Sequence, residues 1–216
     1  MYLFFDTETT GLPKDWNAPV KDLNNWPRIV QIAWVEFDKN RNLISQGDYI
    51  IRPDGFDIPE EVSRIHKITT EQAKNSGYPL KKVLNVFNSI IDKSEYIIAH
   101  NINFDDKVLS AEFLREYIQS SLPDKKKICT MESTVDFLKI PGPRGSYKFP
   151  SLADLSRKLY GEAFKDAHNA LVDIQNTAKI FWDLVDQKVI DPDNPISVKS
   201  ETLEEESNSG DGLTLF

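Results

Sequence analysis

Residues 1–11 read Met1-Tyr-Leu-Phe-Phe-Asp6-Thr7-Glu8-Thr9-Thr10-Gly11. An apolar run that ends in acids at alternate positions is the pattern of a core strand whose far end surfaces at a site. Side chains two apart on a strand project to the same side, so Asp6 and Glu8 can approach one point. An isolated Asp-x-Glu is more often the solvated end of a strand. The almost purely apolar residues before it here place the pair where a buried strand emerges. Thr9, Thr10 and Gly11 then offer hydroxyls and a close backbone approach suited to holding the end of a substrate.

Working outward, Tyr2–Thr7, Ile29–Asp38 and Asn42–Arg52 read as three strands. The polar turn Asp38-Lys-Asn-Arg-Asn42 joins the last two as a hairpin. The link from Gly11 to Pro27 holds Pro13, Pro19, Pro27, Trp16 and Trp26, and a connection of that length is often functional. Pro59–His66 opens as a short helix, with Glu60 and Glu61 at its positive end. Thr69 or Thr70 can cap another short turn. Pro79–Ile91 puts Leu80, Val83, Leu84, Phe87, Ile90 and Ile91 on one helical face. A strand Glu95–His100, a helix Phe104–Ile118, a strand Lys126–Met131 and a helix Glu132–Leu138 follow. Pro141–Pro150 breaks all periodicity, and helices Ser151–Tyr160 and Ala167–Val189 close the fold. Three early strands, a strand–helix unit and a final helix predict an α/β domain with a mixed sheet of about five strands flanked by helices.

Two later segments carry acids that match the first. In His100-Asn101-Ile-Asn-Phe-Asp105, the acid lies in the first turn of a helix. That is also a common helix-stabilising place for one. Asp106 is the competing residue; the expectation is that Asp105 faces the site and Asp106 faces solvent. In His168-Asn-Ala-Leu-Val-Asp173, five residues rotate a regular helix by about 140°, so the two side chains would not share a face. His168 therefore fits best at or before the helix start, with Asp173 one turn inside. Bringing Asp6, Glu8, Asp105 and Asp173 together is costly unless cations neutralise them.

These three segments, in this order, resemble the DEDDh branch of the DEDD exonucleases, which includes the proofreading epsilon subunits of bacterial replicases. The likeness runs from Met1 to about Val189. It implies an RNase H-like fold and removal of nucleotides from a 3′ end of DNA. It implies Asp6, Glu8, Asp105 and Asp173 as ligands of two divalent cations, Mg²⁺ or Mn²⁺, roughly 4 Å apart, with Asp6 bridging. Neutral His168 would be the general base, since an imidazole pKa near 6.5 suits work around neutral pH. Substrate contacts would come from Thr7, Thr9, Thr10, Gly11, Leu12, His66, His100 and Asn101; His66 lies in Ile65-His-Lys-Ile-Thr69, which resembles the family segment that contacts the terminal nucleotide. Lys125–Lys127 and the loop with Arg144, Tyr147, Lys148 and Phe149 offer phosphate and base contacts, although a solvated turn and a Pro-rich connection explain them as well.

The net charge of −8 is unevenly spread, because residues 191–216 hold seven acids and one base and so carry −6 of it. Two cations would make the remaining body slightly positive, so overall acidity does not exclude a nucleic-acid substrate. It does argue against tight, non-specific duplex binding. The expected organisation is a catalytic domain at 1–190 and an acidic disordered tail at 191–216. The tail's end, Gly212-Leu-Thr-Leu-Phe216, resembles the bacterial sliding-clamp-binding peptide, with Gly212 where a glutamine normally stands. Leu213, Leu215 and Phe216 would then enter an apolar groove on the clamp. One cysteine, Cys129, and the absence of an apolar run long enough for a membrane span or signal core predict a cytoplasmic protein. A 3′ exoribonuclease remains the alternative of the same chemistry, and a non-catalytic nucleic-acid or replisome adaptor the alternative of another class.

Overall fold

The computed structural model describes residues 1–164 and 170–194. Strands β1 (Tyr2–Thr9), β2 (Ile29–Phe37), β3 (Leu43–Ile50), β4 (Tyr96–Ala99) and β5 (Lys126–Cys129) make one sheet in the order β3-β2-β1-β4-β5. The first three strands pair antiparallel, and β4 and β5 continue parallel to β1. The hairpin is closed by Asp38, whose carboxylate accepts from the backbone N–H groups of Asn40 and Asn42, both at 2.8 Å. The expected α/β architecture with a mixed five-stranded sheet is the one observed. No helix among the described residues is long and apolar enough to cross a membrane.

Helices α1 (Glu60–His66), α2 (Thr70–Ser76), α3 (Leu80–Lys93), α4 (Ile102–Arg115), α5 (Val135–Leu138), α6 (Leu152–Tyr160) and α7 (Ala170–Asp186) complete the described elements. The alternation of β1 divides the core. Leu3 and Phe5 pack with Val83, Leu84 and Phe87 of α3 and with Val108 and Leu109 of α4. Phe4 faces the other way, against Ile174, Ala178 and Phe181 of α7. The sheet is thus sandwiched between α3/α4 and α6/α7, and α7 runs across β1 and β2.

Several boundaries differ from the sequence reading. Helix α4 begins at Ile102, two residues early, because Asn101 takes a left-handed conformation (φ 78°) and turns the chain directly off β4. Asparagine tolerates that region better than most residues. The segment expected as one helix at 132–138 splits into a 3₁₀ turn, Glu132–Thr134, and α5. Residues 191–194, expected to belong to the acidic tail, are described with the body. Ile190 is buried, and Tyr96 Oη donates to Asp193 Oδ1 at 2.9 Å, so the folded body continues through Asn194. Leu213, Leu215 and Phe216 lie outside the described residues.

The long link between β1 and β2 is fastened by one carboxylate. Glu112, fully buried on α4, accepts through Oε1 from Arg28 Nε at 2.9 Å and from the Ile29 N–H at 3.0 Å. Arg115 lies beside the same oxygen at 3.2 Å and donates to the carbonyls of Leu23, Trp26 and Pro27. Removing one partner of such a buried pair strands the other charge. Glu112→Ala should therefore lose about 3–5 kcal/mol of unfolding free energy in urea melts. Glu112→Gln, which keeps an acceptor for Ile29, should lose less.

Candidate active site

The site grows from a mismatch in strand length. Rungs between β1 and β4 end at Phe4 opposite Ile98, while β1 continues to Thr9. Residues of β1 beyond Phe4 therefore present a backbone edge that β4 does not cover. An uncovered N–H near the core needs an acceptor. Asp105 supplies it: its Oδ1 accepts from the Thr7 N–H at 3.1 Å and from Thr7 Oγ1 at 2.7 Å. Helix α4 thus pins Asp105 against the strand from one face of the sheet.

Asp6 and Glu8 project to the opposite face, that of Phe4, where α7 delivers Asp173 in its first turn. The electrostatics record how close these acids come. Burial, then the charge of Asp173, pushes the Asp6 carboxyl up to about 7. Burial, then Asp6 and Asp173, pushes Glu8 up to about 8. Asp105 is raised well above the usual carboxylate range by burial and then by Asp6, against the two hydrogen bonds from Thr7. Asp6 is the common neighbour of Glu8, Asp105 and Asp173. Among the described residues no three His, Cys, Asp or Glu side chains stand in a ready ligand arrangement. The two observations agree, because charges interact over several ångströms whereas ligation needs oxygens about 2.0–2.6 Å from the ion. A set of hard oxygen donors, made costly by burial and mutual repulsion, fits a hard divalent cation.

The remaining expected site residues divide into groups. Thr7 is turned inward onto Asp105, so it positions a carboxylate and its hydroxyl does not face outward. Thr9 Oγ1 donates to the Gly11 carbonyl at 2.7 Å, and Thr10 Oγ1 accepts from the Arg28 N–H at 3.0 Å. Both hydroxyls therefore shape the exit of β1. Gly11 has φ 143° with open space where a side chain would begin, and Leu12 is 71% exposed beside it. His66 is buried; its Nδ1 accepts from the Ile68 N–H at 3.1 Å, and burial lowers its pKa. Its Nε2 faces the Thr9 backbone without completing a hydrogen bond. His100 is engaged at both nitrogens, by Thr130 Oγ1 at 3.0 Å and the Pro150 carbonyl at 3.1 Å. Since a carbonyl only accepts, Nε2 carries a proton, and burial lowers the pKa of the ring to about 4. Asn101 holds the left-handed turn into α4. His168 lies outside the described residues.

Asp106 is a correction. It was expected in solvent, yet it pairs with Lys127 Nζ at 2.8 Å, with both side chains largely covered, and its Oδ1 is buried without a partner. Burial raises its pKa while Lys127 lowers it. Helix α4 turns Asp105 toward β1, and the next residue, about 100° further round, meets β5 instead of water. Trp16 is an unanticipated neighbour of the site: its ring lies 5.8 Å from Phe104, adjacent to Asp105, and Lys107 Nζ donates to its carbonyl.

A family model described as Exonuclease (RNase T) matches residues 3–181. DNA polymerase III subunit epsilon of Treponema pallidum (strain Nichols) is 35% identical over 108 residues, which are 50% of this chain and 44% of that protein. A crystal structure of E. coli exonuclease I in complex with a dT13 oligonucleotide superposes with a TM-score of 0.67 at 21% identity, over 85% of this chain and 40% of that one. The zinc-bound form of the E. coli enzyme with single-stranded DNA gives the same TM-score at 22% identity, over 87% and 40%. The chain spans less than half the length of these relatives, and the likeness to the solved structures is one of fold.

The raised carboxyl groups have a thermodynamic consequence. Between the unfolded pKa near 4 and the folded values near 7 and 8, the folded chain binds more protons than the unfolded one, so stability falls as pH rises through that window. In EDTA the melting temperature should drop from about pH 5 to about pH 8, and Asp6→Asn should flatten the drop. Divalent cations should restore the wild-type value at the upper end, with protons released on binding, as calorimetry in buffers of different ionisation enthalpy would register.

Proposed function

The chain belongs to the exonuclease family, and on that basis we propose that it is a metal-dependent 3′–5′ exonuclease that removes nucleotides from DNA ends. The observation that carries this reading is the convergence of Asp6, Glu8, Asp105 and Asp173, from three distant segments, around the uncovered end of β1. A module that only bound nucleic acid would have no use for buried, mutually repelling acids. The relatives named above favour DNA over RNA as the substrate.

In this reading the four acids hold two divalent cations, Mg²⁺ or Mn²⁺. Bound there, the cations would supply activation of a water and neutralisation of charge at the scissile phosphate. Asp6 is central because each of the other acids feels it. Thr7 fixes the orientation of Asp105 through two hydrogen bonds, so that one carboxylate oxygen is already committed. His168 takes the proton of the attacking water. Gly11, which leaves the backbone open to close approach, and exposed Leu12 and Ile65 line the place for the terminal nucleotide, with the buried ring of His66 supporting the Thr9 backbone behind them. His100 and Asn101 serve by holding the strand end and the helix start. The described body is the catalytic domain, and residues 212–216 are proposed as a peptide for a bacterial sliding clamp.

Digestion of 5′-labelled DNA and RNA oligonucleotides, with Mn²⁺ or EDTA, tests the activity. Shortening from the 3′ end of DNA in Mn²⁺ alone is expected. Asp6→Ala should lose at least about 10³-fold in rate, and His168→Ala about 10²–10⁴-fold with metal binding kept. Asp106→Asn should lose stability through Lys127 yet keep its rate per folded molecule. Full activity in folded Asp6→Ala would overturn the site. For the tail, removing Leu213–Phe216 should leave hydrolysis of short oligonucleotides intact and abolish clamp binding in calorimetry.

A further inference from the structure

Two cationic segments stand out in the sequence, and the structure separates them. The lysine run at 125–127 is spent on the fold: Lys125 Nζ donates to the Asp92 carbonyl at 3.0 Å, Lys126 pairs with Glu95 at 3.0 Å and Lys127 with Asp106 at 2.8 Å. It also begins β5, opposite Tyr96, at the end of the sheet remote from Asp6. The segment 141–149 is different in both respects.

This loop is ordered by its own backbone. Gly142 N–H donates to the Ser146 carbonyl at 2.8 Å, Lys148 N–H to the Ile140 carbonyl at 3.0 Å and Ser146 Oγ to the Pro143 carbonyl at 2.8 Å. Arg144 and Gly145 turn it through left-handed conformations (φ 57° and 80°). A side chain at Gly142 would meet the backbone of Ser146 and Lys148 at 3.0 Å, so glycine lets the two arms close. Despite that order, Tyr147 and Phe149 stay 45% and 60% exposed. Neither Arg144 nor Lys148 forms an ion pair among the described residues; Lys148 adds only a longer-range pull on Asp154.

Its anchor ties it to the end of β4, the same end of the sheet at which β1 carries Asp6. The Pro150 carbonyl accepts from His100, which lies two residues past Ile98, as Asp6 lies two past its rung partner Phe4. Beyond Pro150 the chain enters α6, which packs on α7, the helix that carries Asp173. A firm hairpin with exposed aromatic rings, and cations without an ion pair among the described residues, in alternation, Arg144-x-x-Tyr147-Lys148-Phe149, matches the needs of an unpaired strand, whose bases stack on rings while its phosphates meet cations.

We propose that residues 141–149 form a secondary binding element for single-stranded DNA, holding the strand to the 5′ side of the terminus being removed. The inference rests on the reading of the chain as a 3′ exonuclease. His100 is its positioning residue, because it ties the hairpin to the strand end at the level of Asp6.

The test compares the full chain with Tyr147→Ala/Phe149→Ala and with Arg144→Ala/Lys148→Ala, in Mn²⁺, on two substrates. One is an oligothymidylate of about 12 nucleotides; the other is the p-nitrophenyl ester of thymidine 5′-phosphate, too short to reach the loop. The aromatic variant should raise KM for the oligonucleotide about tenfold or more, with kcat and ester hydrolysis unchanged. The cation variant should lower the salt dependence of KM by a logarithmic slope of about 1.4 for two phosphate contacts. Unchanged oligonucleotide KM in both variants, with the ester hydrolysed, overturns the loop proposal and spares the nuclease reading. Should the wild type hydrolyse neither substrate, the nuclease reading fails. Fluorescence anisotropy with the labelled oligonucleotide then decides the loop: binding weakened by the variants supports it, and binding unaffected by them or absent overturns it.

Discussion

Everything around the acidic cluster depends on β4 stopping short. Because its rungs with β1 end at Ile98, the second half of β1 has one backbone edge without a strand beside it. That edge is where Thr7 engages Asp105, and it is the gap into which helix α4 can bring an acid from one face of the sheet while α7 brings another from the other. A longer β4 would have satisfied the Thr7 N–H in the ladder and closed the route. The carboxylates are therefore concentrated by the same geometry that leaves the strand unfinished, and burial at that point is what makes their charge expensive.

The surroundings hold this gap open by fixing the start of helix α4 and the link that leads into β2. Asn101 takes the left-handed turn that lets α4 start immediately after β4, which fixes how far Asp105 stands from Thr7. Buried Glu112, further along the same helix, fastens the start of β2 and the long link before it. One helix thus carries an acid facing the site, an acid paired with β5 and an acid clamping a loop. The three have different environments because helical rotation sends them to different neighbours.

On the far side of β4, His100 does comparable work for a neutral contact. With both nitrogens engaged it joins the strand end to Thr130 on one side and to Pro150 on the other. The hairpin at 141–149 inherits its place from that bond and keeps its rings outside because its backbone hydrogen bonds close locally. Order there comes from turn geometry, not from burial. That leaves side chains ordinarily spent on a core free to meet something else.

The sequence by itself determined much of this. The alternation of β1 put Asp6 and Glu8 on one side, the hairpin and the amphipathic face of α3 were readable from their periods, and the rotation argument placed Asp173 one turn inside its helix. These are properties of short stretches, fixed by period and by the preferences of a few residues. What only the tertiary structure decided was where each polar group spends its hydrogen bonds. Thr7 looked available to a substrate and is turned onto Asp105; Asp106 looked solvated and meets Lys127; His100 looked like a contact residue and is a tie between strands and loop; the lysines at 125–127 looked free and are paired. Each of those outcomes depends on a partner about 20 to 100 residues away, brought near by packing two helical layers on a sheet, and no local pattern encodes the rotation at which such layers settle.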